Sequence, residues 1–148
     1  MDATETTALR RVALAVARTT DQDYRIEIRT GHHTLTADEP EALGGTDTGP
    51  TPFGLLLSAL GSCTAITLRM YAQRKGWPLS GLGVRLAYEK APATAKGPAA
   101  DRIIRRIALA GELDDPQRAR LLDVAERTPV TLAVRAGVPI ETSEWRAS

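Results

Sequence analysis

The stretch GPTPFGLLLSALGSCTAITLRMYAQRKGWPLSG, Gly49 to Gly81, constrains this chain more than any other. It is the most apolar segment and carries the only cysteine, Cys63. Thr51 is placed to cap a helix whose first position is Pro52, where a missing N–H costs nothing. Gly76 and Pro78 stop that helix at about Lys75. Apolar residues go nearly all the way round until Arg69, which predicts a helix buried on most sides. Gly61 costs about 1 kcal/mol relative to alanine in mid-helix. Such a glycine is often kept where another backbone approaches closely.

Alternating segments flank the helix. Leu9 to Ala17 alternates as a strand, and YRIEIRT (Tyr24 to Thr30) sets Tyr24, Ile26 and Ile28 on one face. A glycine-containing turn in TGHHTLTADEP leads to a short strand ending near Asp38. After Gly83, Val84, Leu86 and Tyr88 share a face. KAPATAKGPAAD is a loop, expected to be mobile, and RIIRRIALAGEL from Arg102 is the next strand. DDPQRARLLDVAER has an acidic cap, Pro116 in its first turn and apolar residues at Ala119, Leu122 and Ala125. Thr128 before Pro129 ends that helix and can cap another, which Gly137 terminates. VPIETSE closes the chain as a short strand. The order βββ–α–ββ–αα–β predicts a single α+β domain over residues 1–148 with a buried central helix.

The chain has 148 residues, with nineteen basic against eighteen acidic. No basic block stands apart, so neither nucleic acid nor an anionic membrane is an expected partner. The first residues lack a charged start followed by an unbroken apolar core, so no signal peptide is expected. The run Leu55–Leu68 is too short and too interrupted to predict a bilayer span. One cysteine allows neither an intrachain disulfide nor a multi-cysteine metal site, and the reducing cytoplasm is the expected location.

Cys63 has two readings on spacing alone. Its helical neighbours Ala59, Leu60, Ile66, Thr67 and Met70 suit a small buried residue. A reactive thiol would need an activator brought in by the fold, since the helix start is roughly three turns away. His32 and His33 adjoin in a turn, and adjacent strand residues point to opposite faces, so no metal site is expected. The DEP segment, Asp38 to Pro40, reads either as a strand-ending turn and nothing more or as a carboxylate placed to orient an arginine beside a thiol. The glycines of ALGGTDTG match no phosphate-loop spacing and are expected in turns.

The segments DEP, GGTDTGPTPFGLLLSALGSCT and LRMYAQRKGWPL resemble the OsmC/Ohr family of thiol-dependent hydroperoxide reductases, in its OsmC-like branch. The resemblance implies an OsmC-like fold, an antiparallel sheet wrapped around a long central helix, assembled as an intertwined homodimer with two sites at its interface. It implies that Cys63 is the peroxidatic thiol, attacking the O–O bond of an organic hydroperoxide and becoming a sulfenic acid. In the family a second cysteine forms a disulfide with it, an external dithiol resets the pair, and an arginine and a glutamate polarise the first thiol. No cofactor is implied.

Two departures stand out. The second cysteine usually lies in a CPVH-like segment, where this chain has TPVT, Thr128 to Thr131. The glutamate that follows the helix-opening proline in Ohr-type members is absent, Pro52 being followed by Phe53 and Gly54; Glu39 is the nearest remaining candidate. No motif places the arginine, and Arg18 and Arg25, flanking the first hairpin turn, are the positional candidates. The expected function is thiol-based peroxide reduction at Cys63, with Thr128 at the resolving position and an external thiol as reductant. The alternative is a catalytically degenerate dimer that binds an apolar ligand or senses oxidation without turnover.

Overall fold

The computed structural model describes residues 8–94 and 101–146. The chain packs as two compact units that divide after Leu55, within the central helix.

The first unit is an antiparallel meander in the order β1 (Ala15–Thr19), β2 (Ile26–Thr30), β3 (His33–Ala37). Ala17, Ile28 and Leu35 face one another across the strands, as do Thr19, Ile26 and Ala37, so one face is apolar. The expected first strand is displaced toward the C-terminus: Leu9, Val12 and Leu14 are exposed. The reason lies in the ladder. Ala15 pairs with Thr30, the last residue of β2, and the Gly31 turn (φ 59°) follows, so residues before Ala15 have no strand to pair with. Tyr24 lies ahead of β2 and is exposed.

Between β3 and the central helix the chain is organised around Asp38, which is buried. Its carboxylate accepts from the backbone of Glu39 (2.8 Å) and Thr48 (3.1 Å) and from the hydroxyls of Thr48 (2.6 Å) and Thr46 (2.9 Å). These donors, the Thr48 hydroxyl foremost, hold the Asp38 carboxyl well below the usual carboxylate range. Gly45 is required because a Cβ there would be driven into the Glu39 carbonyl.

Helix α1 (Pro52–Lys75) has its expected bounds, and the Thr51 hydroxyl caps it by accepting the Gly54 N–H at 3.1 Å. The second unit holds the rest of α1, the antiparallel pair β4 (Gly81–Glu89) and β5 (Arg102–Ala110), α2 (Asp115–Ala125) and α3 (Pro129–Ala136). Its core is Leu68 and Ala72 of α1, Leu113, and Leu121 and Ala125 of α2, backed by Leu82, Ile107 and Leu109 of the strands. Asp114 caps α2 in a full capping box with Gln117.

Three expectations need correction here. Only Leu60, Thr64, Leu68 and Ala72 of α1 are buried, a single stripe at four-residue spacing, because one face alone meets β4, β5 and α2. Gly61 is kept by a side chain, not a backbone: a Cβ there would lie 2.8 Å from Leu86 Cδ1. In α2 the buried residues are Leu121 and Ala125, while Ala119 and Leu122 are exposed, so the inward face is rotated from the expected one. In addition, residues 137–146 form no strand: they pair with neither described sheet, and Val138, Ile140 and Trp145 stand exposed. The loop segment 95–100 lies outside the described residues.

The whole of α1 also exceeds the run judged too short to span a bilayer. Its 24 residues, with an 18-residue window of mean hydropathy 1.4, satisfy length and composition for crossing a membrane. Core helices of soluble proteins share this length and composition.

Candidate active site

Cys63 sits in α1 on the flank of its buried stripe and is partly buried. Its neighbour Thr64 points fully inward, donating its hydroxyl proton to the Leu60 carbonyl one turn back at 2.7 Å. The oxygen of that hydroxyl in turn accepts from a guanidinium. Arg105, on β5, donates from Nη1 to Thr64 Oγ1 (3.0 Å) and to Thr131 Oγ1 (2.8 Å), and from Nη2 to the Ala125 carbonyl (2.9 Å). Its Nη2 also lies 3.6 Å from Glu126 Oε1, and its side chain is 11% exposed. A guanidinium withdrawn from water this far is tolerated only when its donors are matched; three donate hydrogen bonds and the Glu126 carboxylate stands close by.

Arg105 stands on the inward face of β5, in the row Ile103, Arg105, Ile107, Leu109, with Leu86 of β4 opposite. From there it joins α1, the end of α2 and the first turn of α3. By capping the Ala125 carbonyl it answers the negative end of α2. Arg135 does the same one residue on, donating to the Glu126 carbonyl (3.1 Å) and carboxylate (2.6 Å). Arg135, and then Arg105, hold the Glu126 carboxyl below its ordinary value.

Thr128, at the position where the family's second cysteine is expected, is fully buried. It occupies the cap position of α3, but its hydroxyl does not bond the helix backbone; it meets the Thr131 hydroxyl at 2.6 Å. Proton counting assigns the direction. Thr131 Oγ1 accepts from Arg105 and donates to the Ala125 carbonyl at 3.3 Å, so Thr128 is the donor of the short bond. The reverse assignment would leave the Thr128 proton buried without an acceptor. The chain of donors thus runs from Thr128 to Thr131 to Ala125, with Arg105 anchoring Thr131 and Thr64 together.

The structure therefore brings Thr128 into one network with the residue next to Cys63. Glu39, Arg18 and Arg25 belong to the first unit. The Glu39 backbone closes the turn, its carbonyl accepting the Asp47 N–H at 3.1 Å, and the organised carboxylate of the DEP segment is Asp38. Arg18 lies in β1 across from Glu27, and the Arg25 carbonyl accepts the Thr20 hydroxyl at 3.0 Å. The His32 and His33 rings lie tilted against each other with centroids 4.1 Å apart, and among the described residues no group of three metal-ligating side chains forms.

Sequence reasoning missed Arg105, Thr64 and Thr131. The available signal was an arginine inside an otherwise apolar period-two row of β5. A cavity of about 1020 Å³ opens beside this network, with Leu60, Arg105, Thr131 and Val134 in its wall.

Comparison with known proteins supplies the family. No curated protein matches the chain. Among solved structures, an OsmC-like protein from Mycoplasma pneumoniae superposes with a TM-score of 0.73 at 17% identity, over 86% of this chain and 89% of that one. An organic hydroperoxide resistance protein OsmC from Legionella pneumophila gives 0.63 at 18% identity, over 86% and 92%. The organic hydroperoxide resistance protein OhrB of Bacillus subtilis gives 0.56 at 19%, over 84% and 91%. At such identities these likenesses show the fold, an OsmC-like one. The family profile for OsmC-like proteins matches residues 45–143, a stretch that includes α1 with Cys63, Arg105 and the Thr128 corner, and the chain belongs to that family.

Proposed function

We propose that the protein reduces organic hydroperoxides in oxidative-stress defence with Cys63 as its single redox thiol. The Cys63 thiolate attacks one peroxide oxygen; the O–O bond breaks, the departing alkoxide takes a proton and leaves as an alcohol, and the sulfur becomes a sulfenic acid. Two equivalents of an external thiol then return it to the thiol, giving a disulfide of that reductant and water. The observation that carries this reading is an OsmC-family central helix intact around Cys63. The structural neighbours described as organic hydroperoxide resistance proteins support the same class of role. Thr128 supports the external reductant, since a hydroxyl committed to Thr131 offers no sulfur for a disulfide.

The working unit in this reading is a soluble cytoplasmic homodimer. Ile66 (59% exposed), Met70 and Leu56 on α1 are apolar and uncovered in the single chain, as are Val138 and Ile140 after α3. A second copy covering these residues would supply the burial that the helix composition calls for.

The direct test is thiol trapping of Cys63 after low-excess cumene hydroperoxide, with dimedone to capture the sulfenic acid. Oxidation of Cys63 with release of cumyl alcohol is expected; a thiol that stays unoxidised rejects the proposal. A second reading, ligand binding without turnover, is favoured by the cavity beside Arg105. Unchanged ligand binding in Cys63→Ser, with no peroxidase activity in the parent, would select it.

A further inference from the structure

The cavity of the second unit carries more charge than the threonine network uses. At one end two guanidiniums, Arg105 withdrawn from water and Arg135 half-exposed, converge on one carboxylate. Arg135 Nη2 lies 2.6 Å from Glu126 Oε2 and Arg105 Nη2 lies 3.6 Å from Glu126 Oε1. Both side chains line the cavity, so this end holds one cation in excess. The bonds to the carbonyl and carboxylate of Glu126 use two of Arg135's N–H groups, out of the five a guanidinium has. Arg102, further along the wall, is matched by Glu89 at 2.7 Å. The other end carries the Asp101 carboxylate, with the charge of Lys90 acting on it. There Asp101 accepts from the Tyr88 hydroxyl and the Ala91 N–H, each at 2.8 Å. Asp101 lies four residues from Arg105 along the chain, roughly 13 Å at the rise of a strand. Leu60, Ile103 and Val134 give the space between them an aliphatic wall.

We propose that this cavity is a binding site for a small amphipathic monocarboxylate, its carboxylate seated between Arg105 and Arg135 and its hydrocarbon lying along Leu60, Ile103 and Val134. A guanidinium fork matches the two oxygens of a carboxylate. The charge count selects the ligand class. A monoanion neutralises the single excess cation; a dianion would leave a charge unmatched beside Glu126. A second carboxylate at the far end of the ligand would meet Asp101. The volume suits a molecule of this size with room to spare. The site uses no atom of Cys63, so it stands or falls apart from the peroxide chemistry.

The test is calorimetric titration of the full chain carrying Cys63→Ser, which silences thiol chemistry. Three probes are compared: octanoate, 1-octanol and the dicarboxylate suberate. Octanoate is expected to saturate one site per chain and to bind at least about tenfold tighter than either of the others. Arg135→Gln is expected to weaken octanoate about fivefold or more while leaving 1-octanol unchanged. Glu126→Gln, which removes the competing carboxylate, is expected to tighten it. Arg135 and Glu126 side chains are 58% and 55% exposed, so both variants should fold, which thermal melting checks. No saturable octanoate binding, equal binding of 1-octanol, or an Arg135→Gln protein that binds octanoate as the parent does would each overturn the proposal. So would a Glu126→Gln protein whose octanoate affinity is unchanged or lower.

Discussion

Replacing Arg105 tests whether its fork, rather than its charge, holds the second unit together. In Arg105→Met the aliphatic stem remains and three donated bonds are lost, to Thr64, Thr131 and the Ala125 carbonyl. Each charge-assisted bond is worth about 1.5–3 kcal/mol before desolvation is counted. Two effects reduce the loss. The methionine variant is spared the several-kcal/mol penalty of taking a guanidinium out of water. No acceptor is left bare either: Thr64 still donates to Leu60, Thr131 still accepts from Thr128, and the Ala125 carbonyl still accepts from Thr131. The expected cost is therefore about 2 kcal/mol, well short of the roughly 3–5 kcal/mol of a broken buried ion pair. Arg105→Lys should be worse than methionine, although it keeps the charge. One ammonium cannot span Thr64, Thr131 and Ala125 at once, and it still pays for its burial. Urea denaturation with unchanged m-values would read both numbers. A lysine variant as stable as the parent would refute the reasoning, because charge alone would then suffice; so would a methionine variant within about 0.5 kcal/mol of the parent.

Three other substitutions probe single features. Asp38→Asn should loosen residues 38–48, seen as faster hydrogen exchange at the Thr48 amide. The Asp38 carboxyl is depressed in the fold, so its contribution is complete above its unfolded value of about 3.9 and is lost as pH falls through the folded one; in the parent, protection at Thr48 should therefore outlast the ordinary carboxylate range, and the asparagine variant should lack this acid dependence. Gly61→Ala should change stability by less than about 0.5 kcal/mol, the gain in helix propensity being offset by displacing Leu86 Cδ1, whereas Gly61→Val has no such room and should destabilise in the same urea assay. Asp114→Ala breaks the capping box with Gln117 and should cost about 1 kcal/mol by thermal melting.

What was legible in the sequence was mostly local. Thr51–Pro52 and Gly76 bracket α1, Asp114 and Pro116 start α2, and Thr128–Pro129 with Gly137 bound α3. Those signals act within a turn of where they stand. Faces and pairings were less legible, since they depend on partners distant along the chain. The inward face of α2 is set by Leu68 and Ala72, and β1 begins where β2 runs out. The Asp38 carboxylate takes its donors from as far as Thr48, which no period-two pattern reveals. Arg105 is the sharpest case. Its place in the row of Ile103 and Ile107 marks it as an inward charge, but its acceptors lie 41, 26 and 20 residues away.

The same network gives Thr128 a physical meaning. A threonine at the start of α3 could have pointed its hydroxyl at the helix backbone as a cap. Instead the hydroxyl is the terminal donor of a chain that ends on the Ala125 carbonyl and is braced by Arg105. A thiol is a weak donor and a larger atom, so it would not sustain a contact of 2.6 Å. Thr128 and Thr131 therefore work as a pair, and with Arg105 they tie the α2–α3 corner to the turn of α1 that holds Cys63. On the proposed chemistry, this corner stays fixed through the catalytic cycle because no disulfide forms across it. A sulfenic acid at Cys63 is then left for a reductant arriving from solution. The reductant's access, rather than a rearrangement of α3, would set the rate at which the thiol is restored.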